Sequence, residues 1–208
     1  MKKLESTLLN MVLVLTSVAV IMGGILALVN HLTEGPIAEQ KATALADGIT
    51  TVMCVSDLTV ASTDTVKQTD AKGKELTYII YNVCDAKGDD LGAAVESTTG
   101  GFGGDLKVLV GFDTEGSILG YTLLEHAETP GLGAKADSWF QKGQKGDIIG
   151  KIPAEPLTVS KDGGQVDAIT ASTITSRAFL WAVNNAYNAY VCDPHADAET
   201  GASKQVNN

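Results

Sequence analysis

Beyond Lys2-Lys3 the chain has no basic block, and acidic residues outnumber basic ones 25 to 15, for a net charge of −10. That balance argues against a nucleic-acid partner, because a phosphate-binding surface needs clustered Lys and Arg to release counterions. Small molecules or proteins are the expected partners. Cysteine is scarce as well: Cys54, Cys84 and Cys192 lie far apart and form neither a CxxC pair nor a metal-ligand spacing. Three cysteines cannot all pair within one chain. At most one disulfide is available, Cys54 with Cys84 for instance; the alternative is three reduced thiols acting as small hydrophobes. No internal repeat is present, and 208 residues suffice for one well-buried domain.

One further absence is more informative. Ser6 to Asn30 contains no ionisable residue, and the apolar run from Leu8 to Val29 would extend about 33 Å as a helix, the thickness of a bilayer core. A cleaved signal peptide would carry an apolar region of roughly 7–15 residues closed by a small-x-small site, and Ala27-Leu28-Val29-Asn30 offers none. An interfacial helix would need a charged face, which is missing. The segment reads as an uncleaved membrane anchor. Lys2-Lys3 precede it and Glu34 and Glu39 follow, so the positive-inside tendency puts the N-terminus in the cytoplasm and the globular part on the outer side of the cell (inner) membrane.

After the anchor, Gly35-Pro36 is expected to break the helix, and Ile37 to Asp47 reads as a second, amphipathic helix ending near Gly48. Texture then changes to β-branched runs bounded by turn residues. Thr50 to Val60 is a weak strand region and Leu76 to Cys84 a strong one, followed by Leu91 to Ser97, Leu106 to Phe112 and Ser117 to Glu125. Asp85 to Gly88 and Asp113 to Gly116 are the turns between them. Short turns imply antiparallel neighbours, since a parallel return needs a crossover of a dozen residues or more. A short helix is expected around Ala134 to Gln141, a last strand at Leu157 to Ser160, and a closing helix from Ser172 to Val191. The fold class is α+β: a mainly antiparallel twisted sheet with flanking helices, behind one N-terminal transmembrane helix. The expected organisation is residues 1–30 as cytoplasmic terminus and anchor, 31–48 as juxtamembrane helix, 49–192 as the domain, and 193–208 as a polar, disordered tail.

Three stretches can carry chemistry. Thr98 to Asp105 holds four glycines in five positions, Gly100, Gly101, Gly103 and Gly104, around Phe102; such a backbone can approach a flat or anionic ligand closely, and a mobile loop is the alternative. The second is Glu125 to Gly133. Gly131 to Ala136 fits G-x-G-x-x-A, but the motif should open a βαβ unit with an acidic residue closing the next strand, and neither condition is met. The stretch nonetheless offers a rigid Pro130, permissive glycines including Gly133, an apolar Leu132, and polar Glu128 and Thr129, which suits packing against an aromatic ring and bonding to its edge. His126 stands alone and reads as a solvated strand-end residue. The third is Asp167 to Ser176, with five hydroxyls in seven positions where a helical pattern begins. One cap needs one hydroxyl; the surplus, at a helix start that favours anions, points to a bound phosphate, and a Ser/Thr-rich cap with nothing bound is the alternative.

Glu128-Thr129-Pro130-Gly131-Leu132-Gly133, preceded by Gly120-Tyr121 and His126 and followed by Trp139-Phe140, together with Asp167-Ala168-Ile169-Thr170-Ala171-Ser172-Thr173, closely resembles the FMN-binding G subunit of the Rnf electron-transport complex. The same domain occurs in the C subunit of Na⁺-translocating NADH:quinone reductase. The resemblance covers essentially the whole chain. It implies an FMN joined through its phosphate to a threonine side chain by a separate flavin transferase. In the family pattern D-x-x-S-G-A-T the acceptor is the final Thr, here Thr173; Thr170 stands for Ser, Ala171 for Gly and Ser172 for Ala. Asp167 sets the spacing, and Ser172 puts a second hydroxyl beside the acceptor. The resemblance further implies that Glu128, Thr129, Leu132 and Gly133 line the ring, with Gly101, Gly103 and Thr175 nearby.

The function this implies is a membrane-anchored, covalently flavinylated one-electron carrier. It would serve among the other membrane subunits of an Rnf-type complex that couples ferredoxin–NAD electron transfer to ion movement, in contact with membrane lipid and without stand-alone turnover. The rival reading is a membrane-tethered binding or scaffold domain whose Ser/Thr and Gly stretches are caps and turns. A nicotinamide-dependent oxidoreductase built on Gly131 to Gly133 is a third.

Overall fold

The computed structural model describes residues 7–69 and 75–192; the basic pair Lys2-Lys3 and the polar tail from residue 193 lie outside them. Two compact units part between Ala44 and Leu45. The first belongs to one helix, α1, which runs from Leu8 to Met53. Its large apolar side chains from Leu8 to Leu32 are exposed throughout, and the helix is long and apolar enough to cross a membrane. The expected break at Gly35-Pro36 does not occur, and Pro36 sits inside the helix. Loss of one N–H and the clash with Leu32 cost about 3 kcal/mol. Here that cost is absorbed because helix-forming sequence continues on both sides.

The second unit begins with the last turns of α1. Leu45, Ile49, Val52 and Met53 follow the i, i+4, i+7, i+8 spacing of one helix face and join Tyr81, Val83, Ala94 and Leu109 in a buried cluster. This corrects the expectation of a strand from Thr50: tertiary burial of that face outweighs the β-branched Ile49, Thr50, Thr51 and Val52. The helix can lie this close because glycines meet it. A Cβ on Gly111 would come within 2.5 Å of the Val52 carbonyl oxygen, and one on Gly120 within 2.9 Å.

Among the described residues, five strands follow in chain order: β1 Leu58–Thr69, β2 Glu75–Asp85, β3 Asp90–Gly100, β4 Asp105–Phe112 and β5 Ile118–His126. Each pairs antiparallel with its sequence neighbour, giving sheet order β1-β2-β3-β4-β5. The period of two divides the side chains between two covered faces. In β4, Leu106, Val108, Val110 and Phe112 point into the main core and Leu109 toward α1.

The main core is closed by helix α3, Thr173–Val191. Phe179, Leu180, Ala182, Val183, Ala186 and Ala189 bury its inner stripe against the sheet. Phe179 stacks on Phe140 at 4.3 Å and meets Tyr121 edge-on at 4.8 Å, while Phe112 stacks on Tyr190 at 5.5 Å.

Between β5 and α3 the chain forms a 3₁₀ turn, Gly133–Lys135, and one turn of helix, α2, Ala136–Trp139. The expected strand at Leu157 to Ser160 is replaced by a single bridge, Val159 with Val166, and a 3₁₀ turn at Ser160–Asp162. The Leu157 backbone N–H and carbonyl are instead bonded by the side-chain amide of Asn184, each at 2.9 Å. No neighbouring strand is needed to satisfy them.

Candidate functional site

A pocket of about 380 Å³ opens where the β3–β4 turn, the loop after β5 and the first turn of α3 converge. It is lined by Phe102, Glu128, Thr129, Leu132, Gly133, Ala171, Ser172, Thr173, Ile174 and Thr175. Its walls are built around one carboxylate. Glu128 is 6% exposed; its Oε1 accepts the backbone N–H of Phe102 at 2.6 Å and of Gly103 at 3.3 Å, and its Oε2 accepts the Thr175 hydroxyl at 2.8 Å. Two segments remote in sequence are thus pinned to one side chain of a third. A buried carboxylate is tolerated only with such donors.

The glycines follow from this strut. Any Cβ on Gly101 or Gly133 would collide with a Glu128 carboxylate oxygen, and one on Gly103 with the Ala127 carbonyl. The turn itself is tight, since Gly101 N–H donates to the Gly104 carbonyl at 2.7 Å. Gly101 and Gly103 therefore shape the pocket from behind rather than line it.

The helix start has an unusual entry. Ala171 has φ +60, the left-handed region where glycine is favoured. Ser172 is the N-cap, and its side chain makes no capping bond. Its Oγ lies 3.2 Å from Thr175 Oγ1, which is fully buried. Ser176 is buried too, accepting the Ile169 N–H at 2.9 Å and donating to the Ser172 carbonyl at 3.0 Å. Thr173 opens the helix half-buried, and Lys161 Nζ donates to its Oγ1 at 3.1 Å.

Of the sequence-derived candidates, Glu128, Thr129, Leu132, Gly133, Ser172, Thr173 and Thr175 meet around the pocket. Asp167 and Thr170 are exposed and outside its lining. Asp167 acts elsewhere: its carboxylate accepts the Ser160 hydroxyl at 3.1 Å and its carbonyl the Trp139 indole N–H at 2.8 Å. Sequence reasoning met Ala171 only as the residue standing for Gly in the family pattern, and it passed over Ile174 and Lys161 as site residues. Ile174 was visible only as a position on a helical stripe, and Lys161 belongs to a segment with no periodic signal.

Two further fixtures hold the walls. The Tyr121 hydroxyl donates to the Ala136 carbonyl at 2.7 Å and accepts the Phe140 N–H at 3.1 Å, securing the loop after β5 to the sheet. Burial, above all, pushes its pKa well above the ordinary phenol value. Arg177, the chain's single arginine, grips Asp162 with two bonds of 2.7 and 2.6 Å. That fork holds the Asp162 carboxyl below the usual carboxylate range and raises the guanidinium.

Chemically, the pocket offers apolar surface at its mouth, with Phe102 68%, Ile174 55% and Leu132 41% exposed. Hydroxyls and a helix start lie at one end, with a cation beside them. A planar aromatic ligand carrying a phosphate fits that distribution.

The family description "FMN-binding domain" matches residues 101–188, and "RnfG N-terminal region" matches residues 1–52. Fold and pocket thus define the class: an FMN-binding-domain protein with an apolar N-terminal helix. The G subunit of the ion-translocating oxidoreductase complex of Shewanella baltica (strain OS223) is 34% identical over 177 residues, covering 81% of this chain and 82% of the relative. Its namesake in Yersinia pestis is 36% identical over 172 residues, covering 78% and 80%. The chain belongs to the G-subunit family of the ion-translocating oxidoreductase (Rnf) complex. The crystal structure of Shewanella oneidensis NqrC shares the fold, with a TM-score of 0.51 at 16% identity over 72% of this chain and 93% of that one.

Proposed function

We propose that this protein is the membrane-anchored FMN carrier of an Rnf-type complex, with the flavin phosphate esterified to Thr173 Oγ1. When bound, FMN supplies one-electron redox chemistry. The chain's residues hold and orient it. Phe102, Leu132 and Ile174 would cover the ring, Thr129 and Gly133 would meet its edge, and the start of α3 would hold the phosphate where N–H groups and the helix dipole favour negative charge. A tether lets a carrier keep its cofactor while only ring contacts tune it.

The observation that carries this reading is the position of Thr173 on the lip of the pocket, half-buried, its hydroxyl bonded to a lysine. A separate flavin transferase would make the ester. The anchor would lie in membrane lipid with the N-terminus cytoplasmic and the domain on the outer side. Partner subunits would then bring electrons across, in ferredoxin–NAD transfer coupled to ion movement.

Intact-mass measurement after co-expression with a flavin transferase tests the reading. The expected result is a shift equal to esterified FMN that vanishes in Thr173→Ala. A shift surviving that substitution moves the acceptor to Ser172 or another hydroxyl; no shift in the wild-type chain favours a scaffold.

A further inference from the structure

We propose that Lys161 is the positioning residue that selects Thr173 from the neighbouring hydroxyls and neutralises the phosphate transferred to it. This rests on the reading of Thr173 as the flavin acceptor. Five hydroxyls crowd residues 170–176, and the structure separates them by their partners. Ser172 Oγ contacts Thr175 Oγ1, which in turn donates to Glu128. Ser176 bonds twice to backbone. Thr170 lies outside the pocket lining. Thr173 is the one whose hydroxyl is met by a cation, Lys161 Nζ at 3.1 Å.

An ammonium is donor only, so toward Thr173 it stabilises negative charge on Oγ1. In the transfer, Oγ1 attacks the flavin-side phosphorus of a pyrophosphate-linked flavin dinucleotide. The Oγ1–P bond forms and the bridging P–O bond breaks. The nucleoside monophosphate leaves with that electron pair, and the hydroxyl proton passes to a base of the transferase or to solvent; nothing is oxidised or reduced. Lys161 faces charge that develops on Oγ1 and then remains on the phosphodiester.

The lysine is held for this. Its turn, Ser160–Asp162, is forked to Arg177, which lies four residues after Thr173 on the same helix. On its other side Ser160 donates to Asp167. Asp167, away from the pocket, thereby acts through the turn that carries the cation.

The test follows FMN mass against time in the full chain incubated with a flavin transferase and flavin dinucleotide, comparing wild type, Lys161→Met, Lys161→Arg and Thr173→Ala, with peptide mapping of the modified residue. Lys161→Met is expected to melt as wild type does, Lys161 being exposed, and to take up flavin about tenfold or more slowly, the scale of a lost charged hydrogen bond. Lys161→Arg should recover most of the rate. Uptake by Lys161→Met at the wild-type rate overturns the inference, and so does an arginine variant no faster than the methionine one. If wild type gains no mass, or Thr173→Ala keeps it, the acceptor reading fails and the inference with it.

Discussion

Glu128 receives three donors inside the protein, so its loss strands the Phe102 and Gly103 N–H groups and the Thr175 hydroxyl together. Glu128→Ala is expected to lower stability by about 3 kcal/mol, since each unsatisfied buried group costs about 1–3 kcal/mol and part of the loss is recovered by water; urea unfolding measures it. Ala171 predicts the opposite sign. Its φ of +60 is strained for alanine, and Ala171→Gly should stabilise by up to about 1 kcal/mol, partly offset by the freer unfolded chain, read as a higher Tm. At this scale sequence reasoning went furthest where a residue's type was its signal: the glycines around 101–104 and 131–133, the hydroxyl cluster, and Glu128 in its motif. It failed where meaning arises only by proximity. Lys161 and Thr173 are twelve positions apart across irregular chain, and no spacing rule joins them.

At the scale of elements, the Ser160–Asp162 turn depends on a charge. Because the Arg177 bonds hold the folded-state pKa of Asp162 down, their stabilisation is present above the ordinary carboxylate value and is lost as pH falls through the depressed one. Carboxyl titration by NMR should show the Asp162 midpoint rising in Arg177→Gln. Tyr121 runs the other way. Its raised pKa means that its contribution is complete below the ordinary phenol value and declines as pH climbs above it. Tyr121→Phe removes that alkaline sensitivity and, by stranding the Ala136 carbonyl and Phe140 N–H, destabilises by about 1–3 kcal/mol in chemical unfolding.

Strands β2 to β5 were legible as β-branched, apolar runs bounded by turn residues, and helix α3 because burial of one face imposes a period of 3.6 on its apolar residues. The failures have one cause. Thr50 to Met53 looks extended by composition but is helical because it has a sheet to lie on, and Leu157 looks like a strand but bonds to the Asn184 side chain. Pro36 erred in the reverse direction, a local breaker inside a helix that continues through it.

For the whole molecule, a 46-residue helix with exposed apolar side chains along its first half is at odds with water, where each large side chain left exposed forgoes about 1.5–3 kcal/mol of burial. The protein is expected to partition with membranes and to need detergent for release. Orientation can be read with Cys192, which is exposed near the end of α3. With Cys54 and Cys84 changed to serine, a membrane-impermeant maleimide should label Cys192 in intact spheroplasts; labelling only after lysis would put the domain inside.

The sheet is laid down in strict chain order, each strand beside the one made just before it. Such a meander can zip up while synthesis is still under way, since every strand finds its partner without waiting for distant sequence. The pocket cannot, because its last wall is the first turn of α3. A chain cut short of residue 173 would have all five strands of the sheet, yet neither the closed core nor the proposed acceptor hydroxyl. The flavin attachment proposed at Thr173 would then act as a certificate of folding, fixed only to molecules in which α3 has been made and has found its seat.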